Sequence, residues 1–290
     1  IDFGALAAEP VDRCAGVIVK AIDGRLPDVD PRFVQNWGAI TERCDRFVRG
    51  SYAFARPQSD GGGAKDGRIE AEHYAKVMLE QPGAQDDDWI AVIDLERGGM
   101  DPAHSAQRNI DFLWAWVEAC EAELGRTPWL YTGKHTWKDR MAWTSEFAFL
   151  PLWQADYTSS PADMPWERTM WQYTGSGSSP GVSGKVDRNR FYGTVEQLRA
   201  WEKPRIIPRV SKSSAGPIFP PTDLAGSGPY DAHVAFVQGL LLALGHGPDG
   251  LVDRTTGRPD GLRGPKTREA YAAATGSSST VVDWVSLLTA

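Results

Sequence analysis

Between residues 16 and 193, short runs rich in β-branched and aromatic residues alternate with segments of helical period. That alternation restricts the chain to an α/β architecture, because parallel strands need crossover connections. The strand-type runs are "GVIVKAI" (16–22), "FVRGSYAFA" (47–55), "WIAVIDLE" (89–96), "TPWLYTG" (127–133), "FLPLWQADY" (149–157), "TMWQYTG" (169–175) and "KVDRNRFYG" (185–193), seven in all. Between the third and fourth lies the clearest helix: Pro102 suits its first turn, Ile110, Leu113, Trp114, Val117 and Leu124 recur at helical spacing, and Gly125 suits its C-cap. A second helix is expected over 64–80. The later connections are too short for a regular helix each time, so the spacing predicts an irregular (β/α) barrel.

The third run, "WIAVIDLERGG" (89–99), is apolar until it ends in two carboxylates and two glycines. Residues i and i+2 of a strand share a face, so Asp94 and Glu96 point one way while Ile93 and Leu95 point the other. Side chains at the C-terminal end of barrel strands form active sites. An Asp-x-Glu can also simply cap a strand and face solvent; here the apolar approach, the glycines and the aromatic surroundings favour chemistry. Two neighbouring carboxyls resist simultaneous ionisation, and burial raises a carboxyl pKa further, so one of the pair is expected to hold a proton near neutrality. Glycoside hydrolysis needs such an acid, with a second group to stabilise the cationic sugar or activate its attacker. Aromatic residues at strand ends fit a sugar groove: Tyr52, Tyr131, Trp153, Tyr157, Trp171 and Tyr173. Trp114, Trp116 and Trp201 fall on helices, where packing is the expectation.

Other chemistries find little support. A net charge of -7 and a pI near 5.3 exclude the basic footprint of a nucleic-acid binder. No apolar stretch is long enough to cross a membrane, so no membrane insertion is expected, and "IDFGALAAEPVDR" has acids where a signal peptide has bases. Cys14, Cys44 and Cys120 lack metal or disulfide spacing and read as buried thiols. The five histidines are dispersed, and there is no nucleophile elbow, P-loop or dinucleotide fingerprint; neither metal nor cofactor is expected. Oligomeric state is not legible.

Composition changes after "LRAWEK". Residues 203–223 carry five prolines without amphipathic period and read as a linker. From Ala232 a helical pattern resumes in "HVAFVQGLLLALG" and "GPKTREAYAAATG", so 224–290 reads as a small three-helix module behind a domain spanning 1–202.

Taken together, "VIVKAIDG", "RGSYAFARP", "VIDLE", "PWLYTGKHTW", "LPLWQADY", "MWQYTGSGSSPGVSGKVDRNRF" and "GTVEQLRAW" resemble, in order, the blocks of glycoside hydrolase family 25, the lysozymes of bacteria and their phages. The resemblance covers roughly 1–202. It implies hydrolysis of the β-1,4 bond between N-acetylmuramic acid and N-acetylglucosamine in peptidoglycan. It makes Glu96 the proton donor, Asp94 its orienting neighbour or the group that polarises the substrate's 2-acetamido arm, and Asp187 a further cleft acid. Lys20, Tyr52, Tyr131, Trp153, Asp156, Tyr157 and Trp171 become substrate contacts. Whether catalysis is substrate-assisted or uses a carboxylate nucleophile stays open. The family opens with a Gly-Ile-Asp-Val-Ser strand whose Asp completes the acid cluster. That strand is either absent here, replaced in shortened form by Asp2, or supplied from elsewhere. Ala53 and Asp23 replace the family's usual His and Glu. Residues 232–274 are similar to peptidoglycan-binding three-helix domains, with Asp260, Gly261, Gly264, Pro265 and Thr267 in the turn beside the ligand groove. The expectation is a two-domain muramidase acting at the bacterial wall, a phage endolysin or virion-associated lysin of a high-GC host. The alternatives are a non-catalytic wall-binding or tail protein and a chitin-cleaving enzyme.

Overall fold

Each of the seven strand-type runs forms a strand in a computed structural model, which describes residues 1–25, 27–57, 63–85 and 88–207 and the backbone of 281–287. They are β1 (Gly16–Asp23), β2 (Val48–Phe54), β3 (Ile90–Asp94), β4 (Trp129–Gly133), β5 (Leu152–Ala155), β6 (Arg168–Gly177) and β7 (Val186–Tyr192). Strands β1 to β6 are parallel and adjacent in chain order, while β7 returns antiparallel to β6. Among the described residues the helices are α1 (Phe3–Ala7), α2 (Phe33–Thr41), α3 (Gly63–Leu79), α4 (Ala106–Leu124), α5 (Lys134–Arg140) and α6 (Val195–Ala200). Helix α4 starts at the Ser105 cap, four residues beyond the position expected from Pro102, because the Ser105 hydroxyl accepts from Arg108 N. It stops at Gly125, whose φ of 63° lies in the left-handed region that glycine tolerates. No described helix is long and apolar enough to cross a membrane.

The alternation of each strand builds two cores. Ile18, Tyr52, Ile90, Val92, Trp129, Tyr131, Trp153, Met170 and Phe191 pack inside the sheet. Val17, Val19, Ala53, Ile93 and Leu95 face the helices, where Trp37, Tyr74, Phe112 and Trp116 cover them. Trp116 is fully buried, Trp114 stacks on Phe149 at 5.5 Å, and Trp201 meets Trp129 edge-on at 5.5 Å, so the three helical tryptophans serve packing as expected. Cys14 and Cys120 are buried free thiols, but Cys44 is exposed, in the turn that follows α2.

The eighth strand corrects the sequence reading. Strand β8 (Val281–Leu287) runs antiparallel to β7, from Asp187 opposite Ser286 to Tyr192 opposite Val281, and parallel to β1, from Val17 opposite Val285 to Val19 opposite Leu287. The sheet is thereby a closed barrel. A seven-stranded sheet would leave rows of unpaired backbone groups on β1 and β7, and closure removes both edges. The missing strand is therefore neither absent nor replaced by Asp2, and 281–287 is withdrawn from the interval 224–290 given to the helical module. Asp2 instead caps α1, its exposed carboxylate accepting from Gly4 N at 2.9 Å and Ala5 N at 3.0 Å. The domain boundary also moves: Ile207, within the expected linker, is buried and donates its N–H to Thr127 Oγ1 at 2.9 Å. Residues 208–280, with Asp260, Gly264 and Thr267, lie outside the described residues.

Deleting residues 281–290 should re-expose the edges of β1 and β7. A fall in melting temperature of about 10 °C or more is expected by calorimetry. A truncated protein melting with the full chain would show that β8 does not hold the barrel closed.

Candidate active site

The acids sit where β3 runs out. Asp94 is its last residue and Glu96 continues in extended conformation, with φ -123° and ψ 160°, so the two keep the shared face expected of i and i+2. A three-residue helical turn, Arg97–Gly99, then bends the chain across the end of β2. A Cβ on Gly99 would stand 1.9 Å from Ala55 O, so the second glycine of "RGG" is required by that close approach.

Asp94 is buried at 3% exposure and Glu96 is half-buried. Burial pushes the Asp94 carboxyl well above the usual carboxylate range; the charges of Glu96, Asp187 and Asp23 push it further, and Lys20 pulls against them. Burial also raises Glu96, and donation of a hydrogen bond by Tyr131 to that carboxyl would pull the other way. The two titrate as a coupled pair that retains a proton above the ordinary carboxylate pKa. Lys20 compensates only in part, because its Nζ is held 2.6 Å from Asp23 Oδ2. In Asp23 burial works upward, but Arg56 and Lys20 outweigh it and hold the carboxyl low. Asp23 thus stays an anion that anchors two cations beside the cleft.

Asp187, the second residue of β7, is buried and joins the cluster from the opposite wall. A Cβ on Gly175 would lie 3.3 Å from both Asp187 Oδ1 and Tyr157 Oη, which places those two groups around the bare backbone of β6. Tyr52 is buried next to the acids, and its hydroxyl pKa is raised first by burial and then by Asp94 and Asp187. Tyr131 donates its hydroxyl to Gln172 Oε1 at 2.8 Å, and Tyr157 donates to the same oxygen at 2.7 Å. Tyr157 is 61% exposed, so its anchored ring offers a face at the rim.

The structure thus assembles Glu96, Asp94, Asp187, Lys20, Tyr52, Tyr131 and Tyr157. Asp2 is instead the cap of α1, and Trp153, Asp156 and Trp171 are engaged in contacts of their own. Trp153 is buried in the barrel interior, edge-on to Tyr131, with Nε1 donating to Asn189 Oδ1 at 2.8 Å. Trp171 alternates with the inward Met170 and Gln172; its indole N–H goes to Asp156 O, and the Arg190 guanidinium lies over its ring at 5.6 Å. Asp156 ties its own loop: burial would raise its pKa, but hydrogen bonds from Ala162 N and Thr158 more than offset that and lower it. Sequence reading missed Gln172, though strand alternation in "MWQYT" separates it from Trp171 and Tyr173 and assigns it to the other face. A groove of about 680 Å³ lies elsewhere, lined by Glu9, Arg13, Tyr173 and Arg188 among others, and includes none of the cleft acids. No cluster suited to a metal ion occurs among the described residues.

A barrel whose mouth gathers buried carboxyls between tyrosines is the architecture of a carboxylate-dependent glycoside hydrolase. Residues 1–182 match the model of glycosyl hydrolases family 25, and the chain belongs to that family. It is 30% identical over 194 residues to the N,O-diacetylmuramidase of Chalaropsis sp, covering 61% of this chain and 87% of that protein. It is 29% identical over 186 residues to the protein YegX of Escherichia coli K12, covering 63% of this chain and 61% of the relative. The match therefore spans less than two thirds of YegX. Among solved structures, the bacterial lysozyme from Streptomyces coelicolor superposes with a TM-score of 0.59 at 25% identity, over 70% of this chain and 91% of that one.

The raised pKa of Asp94 fixes the sign of a stability effect. The native state binds more protons than the unfolded state once pH passes the ordinary carboxylate value. Its contribution is therefore fully present near pH 4 and is lost as pH rises. Asp94→Asn should raise the melting temperature at pH 8 relative to wild type, with the difference closing near pH 4. An equal effect at both pH values would mean Asp94 is not held protonated by burial.

Proposed function

We propose that this chain is a peptidoglycan muramidase that cleaves the β-1,4 bond between N-acetylmuramic acid and N-acetylglucosamine. The observation carrying the reading is the half-buried Glu96 two residues beyond the fully buried Asp94, at the mouth of a family 25 barrel. Glu96 delivers its proton to the glycosidic oxygen as the C1–O bond breaks and the electron pair leaves with that oxygen. Asp94 and Asp187, set around the same space, stabilise the positive charge that develops at C1 or orient the substrate arm that shares it. Water then adds its hydroxyl to C1 and returns a proton to Glu96. Tyr157 presents a ring to a pyranose face, while Tyr52 and Tyr131 border the acids with hydroxyls.

Bacterial wall peptidoglycan is the partner this reading requires, with the protein acting at the wall as a phage endolysin or virion-associated lysin. The similarity of residues 232–274 to wall-binding domains supports a tethering role, by which a linked module raises the effective concentration of substrate. The alternative reading as a non-catalytic wall binder was motivated by a missing first strand; closure of the sheet by β8 supports the catalytic reading.

Glu96→Gln should lower the release of new reducing ends from purified cell walls by more than about a hundredfold, as loss of a positioned acid does. A loss below about tenfold would refute the assignment. Mass spectrometry of the wild-type products must find N-acetylmuramic acid at the new reducing end; chitin fragments without muropeptides would transfer the chemistry to another glycan.

A further inference from the structure

Gln172 is fully buried in β6, inside the barrel, and neither its burial nor its contacts are accounted for by the acids alone. Its Oε1 receives the hydroxyls of Tyr131 at 2.8 Å and Tyr157 at 2.7 Å. An amide oxygen has two lone pairs, and both are occupied by these donors. Tyr131 also lies within hydrogen-bonding reach of Glu96 and of Tyr157. A phenol has one proton to donate. If Tyr131 gives it to Gln172, the contact with Glu96 can persist only with the Tyr131 oxygen as acceptor, and only the protonated carboxyl can then act as donor.

We propose that Gln172 is a positioning residue for the acid: by holding the Tyr131 and Tyr157 hydroxyl protons, it keeps Tyr131 from donating to Glu96 and so preserves the proton on that carboxyl. The inference rests on the muramidase reading for its use but not for its detection. Gln172 acts through Tyr131 rather than on the substrate. The opposite orientation of the amide, with Nε2 toward the two tyrosines, would release the Tyr131 hydroxyl proton toward Glu96 and would favour the carboxylate. The other charged or titratable groups around the acid are Asp94 on β3, Asp187 on β7, Lys20 and Asp23 on β1, Tyr52 on β2 and Tyr157 after β5, with Arg56 behind Asp23. Among them only Tyr157 bonds to residue 172, so the Tyr131→Phe background assigns a displaced titration to the Tyr131 hydroxyl.

The test compares wild type, Gln172→Leu, Tyr131→Phe and the double variant in the full-length chain. In Gln172→Leu the freed Tyr131 proton turns to Glu96, and the high-pH limb of kcat/KM on solubilised peptidoglycan should move about one pH unit toward acid. The double variant should return the limb to within about 0.3 units of Tyr131→Phe, because the Tyr131 hydroxyl, the one within hydrogen-bonding reach of Glu96, is gone. A titration of the Glu96 side-chain carboxyl by 13C NMR reads the same displacement without turnover. The inference therefore survives or falls even if wild type cleaves no peptidoglycan, an outcome that would sink only the functional reading. A limb and an NMR pKa unmoved in Gln172→Leu, or equally displaced with and without the Tyr131 hydroxyl, would overturn it. Gln172→Met serves in place of Leu if calorimetry shows that Leu is not folded.

Discussion

Removal of water from Asp94 is the constraint on which the site depends. The residue ends β3 on its inward face, above a barrel interior filled by Ile18, Tyr52, Val92, Trp129, Tyr131 and Trp153. A carboxylate in such a place is costly unless a cation answers it. The cation nearest in effect is Lys20, and Asp23 takes part of its charge at 2.6 Å. Compensation is therefore incomplete, and the pair Asp94–Glu96 relieves the cost by retaining a proton. An acid suited to protonating a leaving group follows from packing plus an under-neutralised pair.

That dryness in turn depends on closure of the sheet. Asp187 lies on β7 and Lys20 on β1, and the strand between them comes from residues 281–287. An open gap at this place would admit water beside two of the charged groups that set the Asp94 proton affinity. The strand's backbone pairs both neighbours, so the far end of the polypeptide is coupled to the electrostatics of a site built by residues 20–187. Contacts of such separation are slow to form, since loop closure must precede them.

Much of this was legible, and what was not has physical reasons. The seven strands between 16 and 193 were readable because β-branched and aromatic runs are bounded by turn residues, and the Asp94–Glu96 pair because period two survives one step past the strand. The roles of Trp153 and Trp171 are not legible in the sequence because the same property, a large flat apolar ring with an N–H, suits both a sugar platform and a core. Only neighbours in space distinguish them, Asn189 for one and Arg190 for the other. Asp156 is equally ambiguous, because turn-forming and ligand-binding aspartates share the same chemistry. Strand β8 was hidden by its place in the chain. "VVDWVSL" has strand character, yet it follows the linker and a helical pattern, and a local reading has no means of pairing it with β1.

The layer beneath the acids shows why amides rather than carboxylates or apolar residues occupy it. Asn189 accepts the Trp153 indole N–H, and the equally buried Gln172 accepts the phenolic protons of Tyr131 inside the barrel and of Tyr157 at the rim. Leucine at 189 would leave the buried Trp153 N–H unpaired, at about 1–3 kcal/mol, and leucine at 172 would free the Tyr131 proton for Glu96. Aspartate or glutamate would satisfy those donors, but would add a buried negative charge to a cluster whose members already repel one another. An amide oxygen takes such protons without bringing charge, so a neutral polar floor occupies the hydroxyls beneath the acids without adding to their repulsion.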